Sequence, residues 1–170
     1  MNSYLLLFKF ETNYKEMKIK LLAAFLVVLG YVACSKDSYN TKPTLTFESV
    51  NATEFPQNSI LEFKLTCTDK EGDVVDTIWV QRVSKVSACS YLSTTDSFLI
   101  PNFKPPKNVK ADFILTYGYP SNPVGADMPS CTNSSSISTT DTSYFRFWMS
   151  DEANHTSDTI QSPDLVFLKQ

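Results

Sequence analysis

His155 is the only histidine in the chain, so any acid–base or nucleophilic scheme has to be built around it. A Ser/His/Asp arrangement needs a nucleophile within reach of the ring and a carboxylate to orient it. No G-x-S-x-G turn is present to raise such a serine. Flanked by Asn154 and Thr156, His155 reads as a solvated loop residue. No cysteine or histidine pair has zinc-ligand spacing. Four glycines in the whole chain cannot furnish a phosphate-cradling loop. With no paired acid and base, the chain reads as a non-enzyme.

Two groups of residues suit binding instead. Asp69-Lys70-Glu71-Gly72-Asp73 is an acidic turn, and Asp151-Glu152 opens a second one. If both turns emerge at one end of a two-sheet fold, Asp69, Glu71, Asp73, Asp151 and Glu152 would gather there. Carboxylates collected from two loops can hold calcium, which takes about six to eight oxygens. The spacing is not that of an EF-hand, and Asp and Gly also occur in such turns simply because they make the turn. The second group is aromatic. If Phe145, Phe147 and Met149 face a core, Tyr144, Arg146 and Trp148 face outward, where a flat ring can stack on a sugar, a partner protein or a cation. Tyr91 and Tyr119, tyrosines of the long connections, are further candidates for the same ligand.

These residues sit on segments that alternate with period two rather than helically. Strands are expected at Thr44–Val50, Ile60–Thr68, Thr77–Val83, Ser97–Ile100, Lys110–Tyr119, Ser143–Met149 and about Thr159–Lys169. Ser162-Pro163 marks an interruption or edge feature in the last of these. In Ile78-Trp79-Val80 the inward face is open, since all three residues are apolar. Seven short strands over about 130 residues suggest an all-β, seven-stranded, immunoglobulin-like (fibronectin-III-like) antiparallel β-sandwich.

In that topology the two acidic turns lie at the end where the first strand starts. The long connections, Ser84–Asp96 and Pro120–Thr142, lie at the other end. Each contains one cysteine, Cys89 and Cys131, in polar surroundings, and these two are expected to pair. Cys67 continues the alternation Leu61, Phe63, Leu65 and reads as a buried core thiol. Loops this long without structure of their own are usually functional or disordered.

The amino-terminal third has a different character. From Met17 the chain runs MKIKLLAAFLVVLGYVACSKD, with Lys18 and Lys20 ahead of the apolar stretch Leu21–Gly30 and the small Ala33 directly before Cys34. That is the layout of a secretory signal, too short for a membrane span. Residues 1–16 read as a misassigned upstream start, 17–33 as the signal peptide, 34–42 as a tether and 43–170 as the folded domain. Tyr31-Val32-Ala33-Cys34 resembles the bacterial lipobox, although Leu is usual three residues before the cysteine. The resemblance implies lipidation of Cys34 and a membrane anchor, with about 0.8 kcal/mol per buried acyl methylene. Beyond Cys34, eleven Lys and Arg face sixteen Asp and Glu. This acidic balance argues against nucleic acid, whose affinity depends on neutralising phosphates.

PTLTFESV, LEFKLTCTDKEGDVVDTIWV and YFRFWMSDEANHTSDTI together resemble the Ig-like sandwich lipoproteins of Bacteroidetes. Their second strand leads into a D-x-x-G-D turn, matched by Asp69–Asp73. Their sixth leads into D-x-x-G-N-x-S, which Asp151–Thr156 follows except that Ala153 replaces Gly. Asp76-Thr77-Ile78 and Asp158-Thr159-Ile160 also resemble the O-glycosylation tripeptide of that group. The resemblance implies an outer-membrane lipoprotein, on the cell surface or the periplasmic face. The functional expectation is a non-catalytic envelope module for a glycan or protein partner. The alternative is a structural or fimbria-like assembly component making only protein–protein contacts.

Overall fold

Alternation becomes pleat most plainly in Ser59–Asp69, where Leu61, Phe63, Leu65 and Cys67 are buried while Glu62 and Lys64 are exposed. The computed structural model describes Lys18 and residues 39–74, 77–101, 105–120, 122–132 and 135–169. Apart from Lys18, the expected upstream start, the signal segment and Cys34 lie outside the described residues. The chain divides into Met1–Asp37 and Ser38–Gln170, and the second unit carries everything that follows. No helix among the described residues is long and apolar enough to cross a membrane.

The fold is all-β, with two mixed sheets forming a sandwich. One sheet has the order β1 (Thr44–Val50), β3 (Ser59–Asp69), β6 (Val109–Tyr119) and β7 (Ala126–Asp127). The other runs β2 (Glu54–Phe55), β10 (Leu165–Phe167), β8 (Asp141–Ser150), β4 (Thr77–Ser84) and β5 (Thr95–Leu99), with β9 (Ile160–Gln161) also paired to β8. The described residues thus form ten strands rather than the expected seven. The pairs β2–β10 and β6–β7 are parallel, so the sheets are not purely antiparallel. Strands of two residues are too short to show a period, which is why alternation misses β2 and β7. The last expected strand is split at Ser162-Pro163 into β9 and β10. There Ser162 turns its own side chain into a pairing group: its Oγ accepts the Phe145 N–H at 2.9 Å while its N–H donates to the Phe145 carbonyl.

The inner faces meet through aromatic rings. Phe63 of β3 lies 4.8 Å from Phe145 and 5.0 Å from Phe147 of β8, with Tyr117 of β6 at 6.3 Å. Cys67 is buried in the same core, and burial, followed by the nearby Asp69 charge, pushes its thiol up to about 12. Ile78 and Val80 point inward, which turns Trp79 out. At one end of the sandwich the β3–β4 and β8–β9 turns lie together, and the chain enters beside them, with the Lys70 N–H donating to the Asn40 carbonyl at 3.0 Å. At the other end are the long β4–β5 and β6–β8 connections. The first carries a short 3-10 helix, Ser87–Leu92. Cys89 and Cys131 join these connections in a disulfide with a Cα separation of 5.4 Å. Leu92 and Val86 pack around it as a second small core.

Candidate functional site

Strand parity places Tyr144, Arg146 and Trp148 on the outer face of β8, between inward Ser143, Phe145, Phe147 and Met149. Antiparallel register sets Trp148 opposite Trp79 of β4 and Arg146 opposite Gln81. The two indoles are nearly parallel, 11° between planes and 6.5 Å between centroids, with Trp79 37% exposed. Arg146 folds back over Tyr144, its guanidinium 5.5 Å from the ring centroid and its Nη2 donating to the phenol oxygen at 3.1 Å. Lys85 covers Tyr144 from another side at 5.7 Å.

Beside the indoles lies an open depression of about 540 Å³, lined by Gln81, Arg146, Trp148, Thr156, Thr159 and Gln161. It lies where Thr156, Thr159 and Gln161, from β9 and the segment before it, border the outer face of β8. The lining is an indole surrounded by amide, hydroxyl and guanidinium groups, a mix of one apolar plane with many hydrogen-bonding atoms. Sequence parity had already placed Tyr144, Arg146 and Trp148 on this face. Trp79, Gln81 and Gln161 were missed, because the orientation of Ile78-Trp79-Val80 was undetermined and β9 was read as part of a longer strand. Thr159 of the second Asp-Thr-Ile tripeptide is exposed here, whereas Thr77 of the first is buried in β4.

Tyr119 does not belong to any exposed site. It shares the parity of Leu115 and Tyr117, is fully buried, packs 5.0 Å from Phe167 and donates its hydroxyl to the Leu168 carbonyl at 3.2 Å. Its phenol is pushed up by burial. Tyr91 is exposed but does not line the depression. Its hydroxyl accepts the Thr132 N–H at 2.8 Å, so it ties the 3-10 helix to the segment after Cys131.

The acidic turns converge as expected, but through three residues rather than five. Asp69, Asp73 and Asp151 each place one carboxylate oxygen within 4.8 Å of the others, and Asp69 and Asp151 are buried. Glu71 and Glu152 are exposed and stand outside the cluster. Gly72 lets the first turn close: its φ is +77°, a Cβ there would lie 2.5 Å from the Pro106 carbonyl oxygen, and its N–H donates to Asp69 Oδ1 at 2.6 Å. The second turn is tied to the first by the Glu152 N–H donating to the Asp73 carbonyl at 3.0 Å. Asn154, at φ +66°, takes the left-handed position after Ala153. His155 is half exposed as a loop residue, yet its Nδ1 lies 3.0 Å from Asp151 Oδ2 and its N–H donates to Asp151 Oδ1. Burial pushes the Asp69 carboxyl above the usual carboxylate range. The Gly72 N–H opposes that rise and the Asp73 charge adds to it.

A buried ion pair at the opposite end was not anticipated. Arg82 Nη2 lies 2.9 Å from Asp141 Oδ2, and its Nε and Nη1 donate to Ser143 Oγ and the Pro129 carbonyl. Ser84 and Ser143 hydroxyls also donate to Asp141. Burial lowers the Arg82 guanidinium and Asp141 opposes this. The inward parity of Arg82 with Ile78 and Val80 was the signal available. With each guanidinium nitrogen partnered, this group ties loop to sheet.

No family model matches the chain, and no curated protein matches it. Among solved structures, it is similar to a β-glucosidase from Listeria innocua in complex with gluconolactone, at 10% identity and a TM-score of 0.42. The match covers 75% of this chain and 16% of that structure. A likeness of this size does not extend to chemistry.

Proposed function

We propose that the protein is a non-catalytic, lipid-anchored module of a bacterial cell envelope, in which an Ig-like sandwich presents an aromatic face to a glycan. The observation that carries this reading is the parallel Trp79–Trp148 pair beside an open depression that also offers amide, hydroxyl and guanidinium groups. A sugar ring has apolar C–H faces and a rim of hydroxyls. The exposed Trp79 and half-buried Trp148 can meet the first, and Gln81, Gln161 and Arg146 can hydrogen-bond the second. An apolar protein partner would favour a continuous hydrophobic patch, whereas here one indole is set among amide, hydroxyl and guanidinium groups.

The sheet order supports the fibronectin-III-like form of the sandwich. β1, β3 and β6 make one sheet, while β10, β8, β4 and β5 make the other. Placing β5 on the edge of β4 departs from the constant-type immunoglobulin order, in which the fourth strand lies on the first sheet. Three of the four sheet edges weigh against the assembly alternative, which needs a long free edge to accept a donor strand; the fourth, β5, is five residues long. β2 and β7 are two residues each, and β1 changes register between Phe47 and Ser49, as edges protected from pairing do.

Lipidation of Cys34 in the outer membrane rests on the signal-like segment before it. Labelling cells with a fatty-acid analogue should mark the wild-type chain and fail to mark Cys34→Ala. Equal labelling would remove the anchor from this reading. A glycan screen of the purified chain tests the binding function. Binding to an envelope protein with no glycan bound would replace the glycan reading.

A further inference from the structure

The cluster of Asp69, Asp73 and Asp151 has no part in the aromatic face, and it is an expensive arrangement in physical terms. Bringing three carboxylates together with two of them buried is opposed by desolvation and by like-charge repulsion. Only part of that cost is met by visible partners. Asp151 has His155, and Asp69 Oδ1 has the Gly72 N–H. The other oxygen of Asp69, a fully buried residue, has no hydrogen-bond partner, and neither has buried Oδ1 of Asp73. Among the described residues no Lys or Arg pairs with Asp69 or Asp73. Buried polar atoms left like this call for a specific explanation.

We propose that Asp69, Asp73 and Asp151 form a calcium site that clasps the β3–β4 turn to the β8–β9 turn. The oxygens lie within 4.8 Å of one another. Ligands on opposite sides of a calcium ion at about 2.3–2.6 Å would be about 4.6–5.2 Å apart, so one ion can reach all three. An all-oxygen donor set suits a hard cation, and water can complete the shell. His155 acts as a positioning residue, because its ring and N–H hold the Asp151 carboxylate in place. The site lies where the chain enters the fold, since Lys70 beside Asp69 pairs with Asn40. An affinity of about 10⁻⁴–10⁻³ M, in the range of extracellular modules, is expected.

The competing explanation is a proton shared between Asp69 and Asp73, and Asp69→Asn separates the two. A shared proton predicts that this isosteric change raises Tm equally with calcium or with chelator. A calcium site predicts a crossed result: Asp69→Asn raises Tm in chelator, where it removes repulsion, and loses the calcium-dependent rise of the wild type. For the wild-type full chain, calcium about a hundredfold above Kd should raise Tm by roughly 5–10 °C, with binding heat in calorimetry. Glu71→Gln and Glu152→Gln should keep the wild-type response. No binding heat and no Tm shift in the wild type at ~10 mM calcium, a concentration at least tenfold above the expected Kd, would overturn the site. An equal response to magnesium, or an equal Tm gain of Asp69→Asn in both buffers, would overturn it as well.

Discussion

Replacing Arg82 with Met should be among the most damaging single changes in the chain. The side chain is 5% exposed and its partner Asp141 is fully buried. Met fills a similar volume but leaves the Asp141 carboxylate with only the Ser84 and Ser143 hydroxyls, and the Pro129 carbonyl without the Arg82 donor. Phe167, now 4.6 Å from the guanidinium carbon, loses its cation. Removing one partner of a buried pair typically costs about 3–5 kcal/mol, most of it from the stranded charge. Asp141→Leu strands the guanidinium and should cost a similar amount. The double variant strands neither, so its loss should be smaller than the sum of the singles by at least about 2 kcal/mol. Urea unfolding of the four proteins under one set of conditions measures all three terms. A cost below about 1 kcal/mol for Arg82→Met, or singles that add to the double within about 0.5 kcal/mol, would show that the two side chains are not coupled as a buried pair.

Removing the Cys89–Cys131 disulfide as the double Ala variant should destabilise by about 4 kcal/mol in the chain-entropy model, given the sequence separation of 42. Urea midpoints check this, and a loss under about 1 kcal/mol would mean the loops are held by other contacts. Cys67 predicts an alkaline limb. Its folded pKa is raised above the unfolded value of about 8.5, so its contribution to stability is fully present below that pH. It declines by about 1.4 kcal/mol per unit as pH rises towards about 12. Cys67→Ala should therefore show a shallower loss between pH 9 and 11 than wild type, and parallel curves would contradict the assignment. Ser162→Ala should cost about 1 kcal/mol in thermal or urea unfolding, because the Phe145 N–H loses its acceptor between β9 and β10.

Most of the fold was legible wherever a strand had one apolar face. β3, β6 and β8 alternate over most of their ten or eleven residues, so the strands and most inward side chains follow from period two, with ends off by up to two residues. The disulfide followed from the order of the strands, which put Cys89 and Cys131 on connections at one end. Alternation could not orient Trp79, because its neighbours are equally apolar, and half of the aromatic pair was hidden for that reason. Nor could it resolve β2 and β7, where two residues carry no period. For the acidic cluster, sequence identified the turns but not the side chains that turn inward. Gly72 folds the first turn so that Asp69 and Asp73 converge and Glu71 points away, a consequence of backbone geometry rather than composition. Tyr119 was readable from its parity with Tyr117. Its neighbourhood beside a long connection suggested exposure instead.

Whether the Trp79–Trp148 face binds a glycan can be tested by one comparison. The full chain and its Trp79→Ala and Trp148→Ala variants can be screened against one glycan array at equal concentration, after unfolding curves show the variants folded. Saturable binding to at least one glycan is expected, weakened tenfold or more in each variant, which corresponds to about 1.4 kcal/mol per indole. Glycan binding of wild-type strength in both variants would contradict that expectation, as would no binding by the wild type.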